Sequence, residues 1–158
     1  AGRARRWPRW WNMTTHFMPA PWLANPHLQS IMASSALRRF RMSRPMRTLR
    51  EISEPHILPT ASGVRLAGLH TPASVDRPRG LVMLFHGWEG SAESTYLVET
   101  AFSLWRAGYS VFRLNFRDHV DTHHLNPGSF HSCRIDEVVE ACQEIQRLSP
   151  VRPLLQAG

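Results

Sequence analysis

The sequence predicts an α/β protein with a mixed, mostly parallel sheet and flanking helices. Three observations carry this. Leu81–Phe85 and Tyr109–Phe116 are short apolar runs containing Val and Phe, as in strands buried on both faces. Val151–Ala157 is a third apolar run. Between them lie two segments with helical spacing, so strand, helix, strand, helix, strand form two successive βαβ units. Their crossovers are right-handed and their strands parallel. An antiparallel stretch upstream makes the sheet mixed.

A length of 158 residues allows one domain with its own core. An apolar fraction of 42% and six Trp exclude a disordered chain. The net charge of +7 is unevenly spread, and every basic residue is Arg. Residues 1–50 hold ten Arg and no acid, whereas residues 51–158 hold nine Arg against twelve acids. Trp7, Trp10 and Trp11 interleave with Arg, an arrangement that can stack on single-stranded nucleic acid or lie at a membrane interface. No nucleic-acid-binding motif accompanies them, so a solvated head is expected and no nucleic-acid partner.

No stretch reaches the roughly 18 apolar residues of a membrane span. The N-terminus lacks the apolar core of a secretory signal. Cys133 and Cys142 are nine positions apart on one predicted helix, on opposite sides and about 13 Å apart along its axis. They cannot pair, and free thiols point to a reducing, cytoplasmic compartment.

Three regions are expected. Residues 1–12 are a basic leader, disordered or non-native, with Met13 as a candidate true start. Residues 13–47 are a Pro/Arg-rich arm with one helix. It starts at Asn25-Pro26, a capping side chain followed by Pro at the first helical position. Leu28, Ile31, Met32, Ser35 and Arg39-Phe40 carry it to about Phe40, and Arg41–Arg47 is a connector broken by Pro45. Residues 48–158 are the body. Thr48–His70 reads as short antiparallel strands turning at Ala61-Ser62-Gly63, and Thr71–Gly80 as a surface loop.

After the Leu81–Phe85 strand, Ser94–Ala107 is a helix with Leu97, Ala101, Leu104 and Trp105 on one face, ended by Gly108. The Tyr109–Phe116 strand leads into a polar loop, Arg117–Phe130. Ser132–Leu148 is a helix with an apolar stripe of Ile135, Val138, Val139, Cys142 and Ile145, stopped by Ser149-Pro150.

Two places can carry chemistry. His86-Gly87-Trp88-Glu89-Gly90 follows a buried strand at the end of the sheet where open α/β folds bind ligands. The Trp88 N–H there can serve as half of an oxyanion hole, with His86 and Gly87 shaping the turn; an ordinary strand-end turn with a buried His is the alternative. Leu154-Leu155-Gln156-Ala157-Gly158 is an apolar strand ending on Gly. If Gly158 opens a Gly-x-Ser-x-Gly elbow, the nucleophile falls two positions past it.

The chain resembles the N-terminal part of an α/β-hydrolase-fold protein, from the esterase branch related to monoacylglycerol lipase-like enzymes. Four stretches carry the resemblance: Pro21-Trp22-Leu23-Ala24-Asn25-Pro26-His27-Leu28-Gln29-Ser30, His86 to Ser91, Asn115-Phe116-Arg117-Asp118-His119, and His124 to Gly128 with Asp136-Glu137. It departs at Arg117-Asp118, where the family often has Arg-Gly. The resemblance implies an α/β-hydrolase-type sheet truncated before the nucleophile elbow. It also implies a Ser-Asp-His triad downstream of Gly158 and no cofactor. Ser91 and Ser94 precede the elbow and do not match the nucleophile.

Asp118–His131 holds Asp118, His119, Asp121, His123, His124 and His131, with Cys133 close by. Its His-x-Asp-x-His-His order is not a usual metallohydrolase arrangement, and it reads as a polar loop lining or lidding the pocket rather than a metal site. The expected function is that of a fragment of a serine carboxylic-ester hydrolase acting on small-molecule or lipid esters, inactive alone. The alternative is a non-catalytic α/β-hydrolase scaffold used for binding or regulation.

Overall fold

The computed structural model describes residues 20–33, 36–131, 133–148 and 154–157. The Arg/Trp leader with Trp7, Trp10 and Trp11, and the expected elbow glycine Gly158, lie outside the described residues. The chain divides into two units, Ala1–Arg39 and Phe40–Gly158.

In the first unit a 3-10 turn, Pro21–Leu23, precedes helix α1, Pro26–Ala33. The cap is as the sequence predicts: the Asn25 Oδ1 accepts the His27 N–H at 2.9 Å, and Pro26 fills the first helical position, where no N–H is needed. The helix expected to run to about Phe40 is described as α1 over Pro26–Ala33. Helix α2, Ala36–Ile52, runs through the expected connector, with Pro45 inside it, and through Thr48–Ile52, where strand was expected.

Tertiary burial explains why Pro45 does not break α2. An internal Pro costs about 3 kcal/mol. Met42 and Leu49 are buried, with Met46 and Ile52 packed beside them, and each buried side chain returns about 1.5–3 kcal/mol.

The second unit is built on one five-stranded sheet ordered β1-β2-β4-β3-β5. β1 (Glu54–Pro59) and β2 (Arg65–Thr71) form the expected antiparallel hairpin, turning where Gly63 takes φ 82°. β2 also pairs antiparallel with β4 (Ser110–Leu114). β3 (Leu81–Phe85) runs parallel to β4 on one side and to β5 (Leu154–Ala157) on the other. The three parallel strands predicted from the apolar runs are therefore observed, with β3 between the other two.

Two helix layers cover the sheet. On one face α2 and α3 (Thr95–Arg106) bury Met42, Leu49, Leu97, Val98 and Ala101 against Val82, Leu84 and Val111. On the other, α4 (Ile135–Leu148) buries Ala141 and Ile145 against Leu58, Leu66, Leu81, Met83, Phe112 and Leu114. Close approach is built in at Gly68, where a Cβ would lie 2.2 Å from the Phe112 ring.

Most of the apolar stripe read on α4 faces the core: Ile145 is buried, and Val138 and Cys142 pack beside it. Ile135 and Val139 are 65% and 49% exposed, and the buried positions are Glu137, Ala141 and Ile145. Glu137 is buried as one partner of an ion pair with Arg117. Cys133 is exposed and precedes α4, Cys142 is half-buried within it, and both are free thiols. Burial pushes the Cys142 thiol above its ordinary pKa.

Candidate active-site turn

The loops leaving β3 and β4 emerge at the same end of the sheet, because the two strands are parallel and in register from Leu81↔Ser110 to Phe85↔Leu114. His86 joins them. Its Nε2 accepts the Phe116 N–H at 3.1 Å, so that nitrogen carries no proton. Its Nδ1 therefore carries the proton and donates to the Gly87 carbonyl at 2.8 Å. The imidazole is buried, and burial holds its pKa below the ordinary value. His86 is a neutral bracket between two loops.

Around this bracket the turn is held at several points. The Gly87 N–H donates to the Tyr96 hydroxyl at 2.6 Å, and the Gly90 N–H to the Gly87 carbonyl at 3.0 Å. The Ser91 N–H donates to the Ser94 Oγ at 2.8 Å, so that side chain secures the turn and does not cap α3. The Ala92 N–H donates to the Asn115 Oδ1 at 2.7 Å. Trp88 projects outward with 75% of its surface exposed, and its N–H has no hydrogen-bond partner among the described residues.

The glycine that the turn needs for room is Gly90: a Cβ there would meet the Gly87 carbonyl and the His86 Cβ at 3.0 Å. At Gly87 a Cβ would make only an ordinary 3.7 Å contact with Tyr96.

Backbone strain concentrates in these two loops. Glu89, Asp118 and Val120 take φ of 55°, 60° and 56°. Left-handed backbone is costly for any residue with a Cβ, most of all for a β-branched one. It also explains the departure at Arg117-Asp118: the position where the resembled family often has Gly is one whose backbone conformation Gly adopts freely. Here the Asp118 carboxylate bonds the His123 Nδ1.

The His-rich loop divides into a part that reaches the turn and a part that does not. His119 donates Nδ1–H to the Arg117 carbonyl at 2.7 Å, and its ring lies 4.6 Å from His86 and 5.0 Å from Phe130. Phe130 stacks on Phe116 at 5.4 Å and stands 6.1 Å from Trp88. Together with Phe85, stacked on Phe116 at 6.3 Å, these rings make an aromatic wall beside the turn. Asp121 and His124 are exposed on a 3-10 segment, Val120–Leu125, that is anchored by buried Thr122 and Leu125, and His131 is exposed beyond it. The loop residues form no three-ligand metal grouping among the described residues.

Two arginines inside the fold hold these loops; the sequence assigns a role to neither, although Arg117 stands in one of the stretches that carry the resemblance. Arg113, buried in β4, donates to the Ala92 carbonyl at 2.9 Å and to the Ser53 Oγ at 3.0 Å. Burial lowers its pKa against the opposing pull of Glu93. Arg117 pairs with both Glu137 oxygens at 3.1 and 2.8 Å and donates to the Pro127 carbonyl at 2.6 Å. Arg134 adds a bond to Glu137 at 2.8 Å. The signal available in the sequence was Arg113 itself, a charge inside an otherwise apolar strand.

No protein-family model matches the sequence, and no curated protein matches it. Solved structures do. An α/β serine hydrolase without a lid from Xanthomonas campestris aligns with a TM-score of 0.55 at 21% identity, over 67% of this chain and 50% of that one. The esterase Pf2001 of Pyrococcus furiosus aligns at 0.54 and 18%, over 66% and 40%. An α/β serine hydrolase homologue from Coxiella burnetii aligns at 0.57 and 14%, over 66% and 50%. This chain spans half or less of the length of each. At these identities the likeness is one of architecture, and the architecture of this chain is the α/β-hydrolase fold.

Proposed function

We propose that this chain is the N-terminal part of a serine carboxylic-ester hydrolase, of the esterase branch related to monoacylglycerol lipase-like enzymes, and that the Trp88 N–H is one of its two oxyanion donors. The observation that carries this is strand register. β5 runs parallel to β3 with Ala157 level with Leu84. Continued pairing puts the second position past Gly158 level with Gly87, beside the Trp88 N–H. A nucleophilic Ser there would attack the ester carbonyl. A downstream His would take its proton and pass it to the leaving alkoxide, and a downstream Asp would orient that His. The carbonyl oxygen, negative in the tetrahedral intermediate, would accept from Trp88 and from the residue after the Ser.

The aromatic wall of Phe85, Phe116 and Phe130 favours an apolar acyl group on a small-molecule or lipid ester over nucleic acid. No described helix is long and apolar enough to cross a membrane. The free thiols favour a reducing, cytoplasmic setting.

A serine-directed fluorophosphonate probe and p-nitrophenyl acetate test the reading. Ala1–Gly158 as a free polypeptide is expected to take up no probe and to hydrolyse no ester above background. The parent polypeptide is expected to be labelled on the Ser two positions past Gly158. In that parent Trp88→Pro, which deletes the N–H, lowers kcat by about 100- to 1,000-fold. Labelling of the free chain, or an unchanged kcat in the Pro variant, overturns the proposal.

A further inference from the structure

The β1–β2 hairpin carries a side-chain cluster that the hydrolase reading does not use. Glu54 and His70 are directly opposed in the antiparallel register. His56, two positions along from Glu54, points to the same face, opposite Gly68, which has no side chain to fill the space. The His56 Nε2 lies 3.8 Å from the Glu54 Oε2, and one ligand atom from each of Glu54, His56 and His70 lies within 4.8 Å of the other two.

The two imidazoles are in an unusual state. The Nε2 atoms of both His56 and His70 are buried and have no hydrogen-bond partner. Their floor is apolar: the buried Phe112 ring lies 6.1 Å from His56 and 6.3 Å from His70. Two buried, unpaired ring nitrogens side by side are a costly arrangement for imidazoles that answer only to each other.

We infer that Glu54, His56 and His70 form a binding site for a divalent transition-metal ion of the zinc class. Two imidazole nitrogens and one carboxylate are a donor set that suits zinc and its neighbours rather than calcium or magnesium. Metal–ligand bonds of about 2.0–2.2 Å require each donor atom to move inward by about 1 Å, within reach of side-chain rotation. The Glu54 side chain, 66% exposed, leaves the cluster open to solvent on one side, where a water would complete a tetrahedral shell. Bound there, the ion joins β1 to β2 on the α4 face of the sheet. The site stands whether or not the chain supplies an oxyanion donor.

The test is a zinc titration of the untagged, chelator-treated chain in competition with a chromophoric chelator. One zinc per chain is expected. His56→Gln and His70→Gln each weaken binding by more than about tenfold, and His124→Gln, in the loop after β4, leaves it unchanged. Cobalt in place of zinc gives the visible bands of a tetrahedral ion, and His56→Gln abolishes them. If His70→Gln does not fold by circular dichroism, His56→Gln and the exposed Glu54→Gln decide. Failure of the folded wild-type chain to bind zinc or cobalt, or binding that survives both His56→Gln and Glu54→Gln, overturns the inference.

Discussion

The sequence reads His86 as a residue that shapes the turn beside the Trp88 N–H, and its hydrogen bonds make it a bracket between two loops. With Nε2 accepting the Phe116 N–H and Nδ1 donating to Gly87, no ring nitrogen is left to move a substrate proton. Its state nonetheless sets a pH dependence. Burial holds its pKa below 6.5, the Gly87 carbonyl pulls the other way, and His119 adds to the lowering. Below about pH 6.5 the unfolded chain therefore binds more protons than the folded one. The contribution of His86 to stability is complete above that pH and is lost as pH falls toward the folded value. Thermal midpoints measured from about pH 7.5 to about pH 5.5 should fall less in His86→Gln than in the wild type. His70, which burial shifts in the same direction, is common to both proteins. Equal falls would remove His86 from the account.

Residue identity alone also hid the reason for Asp118. Read as a string, Arg117-Asp118 is a departure from a resembled pattern. Read with its φ of 60°, it is a strained position whose side chain bonds His123.

At the scale of elements, α4 shows what periodicity can and cannot give. The helix is described over Ile135–Leu148, within the stretch where apolar spacing placed it. Val138, Cys142 and Ile145 of the expected stripe face the core, and a polar residue, Glu137, is buried with them. Glu137 is buried because Arg117 meets it with two hydrogen bonds, and an apolar-stripe argument does not count a carboxylate as a core residue. The pair ties the loop after β4 to the start of α4. Glu137→Gln keeps the shape and leaves the Arg117 charge buried without its partner, so a loss of about 3–5 kcal/mol in unfolding free energy is expected. Hydrogen exchange should speed up across residues 117–131. A loss below about 1 kcal/mol would place the pair among ordinary surface ion pairs. α2 makes the same point in reverse: the local rule that Pro45 breaks a helix loses to the burial of Met42 and Leu49.

At the scale of the molecule, the sheet puts β3 between β4 and β5 and leaves β5 as the strand at one end of the described sheet. Leu155 on that strand is 43% exposed. An apolar end strand is a template for pairing with another chain. Ala1–Gly158 as a free polypeptide is therefore expected to self-associate with rising concentration in sedimentation velocity, and Leu155→Lys to shift it toward the monomer. Monomeric behaviour of the wild type at all concentrations would show that the end strand is covered.

What the sequence determined by itself is the order and type of the elements in the sheet region. Apolar runs and helical spacing are local patterns, and so are the Asn25-Pro26 helix start and the Ala61–Gly63 turn. What only the tertiary structure decided is which residues meet. The hold of Arg113 on Ala92, the Arg117–Glu137 pair, the bracket made by His86 and the convergence of Glu54, His56 and His70 each join residues distant in sequence or on facing strands. Register and burial create those contacts, and no local pattern carries either, because a strand position acquires its neighbours only once its partner strand is in place.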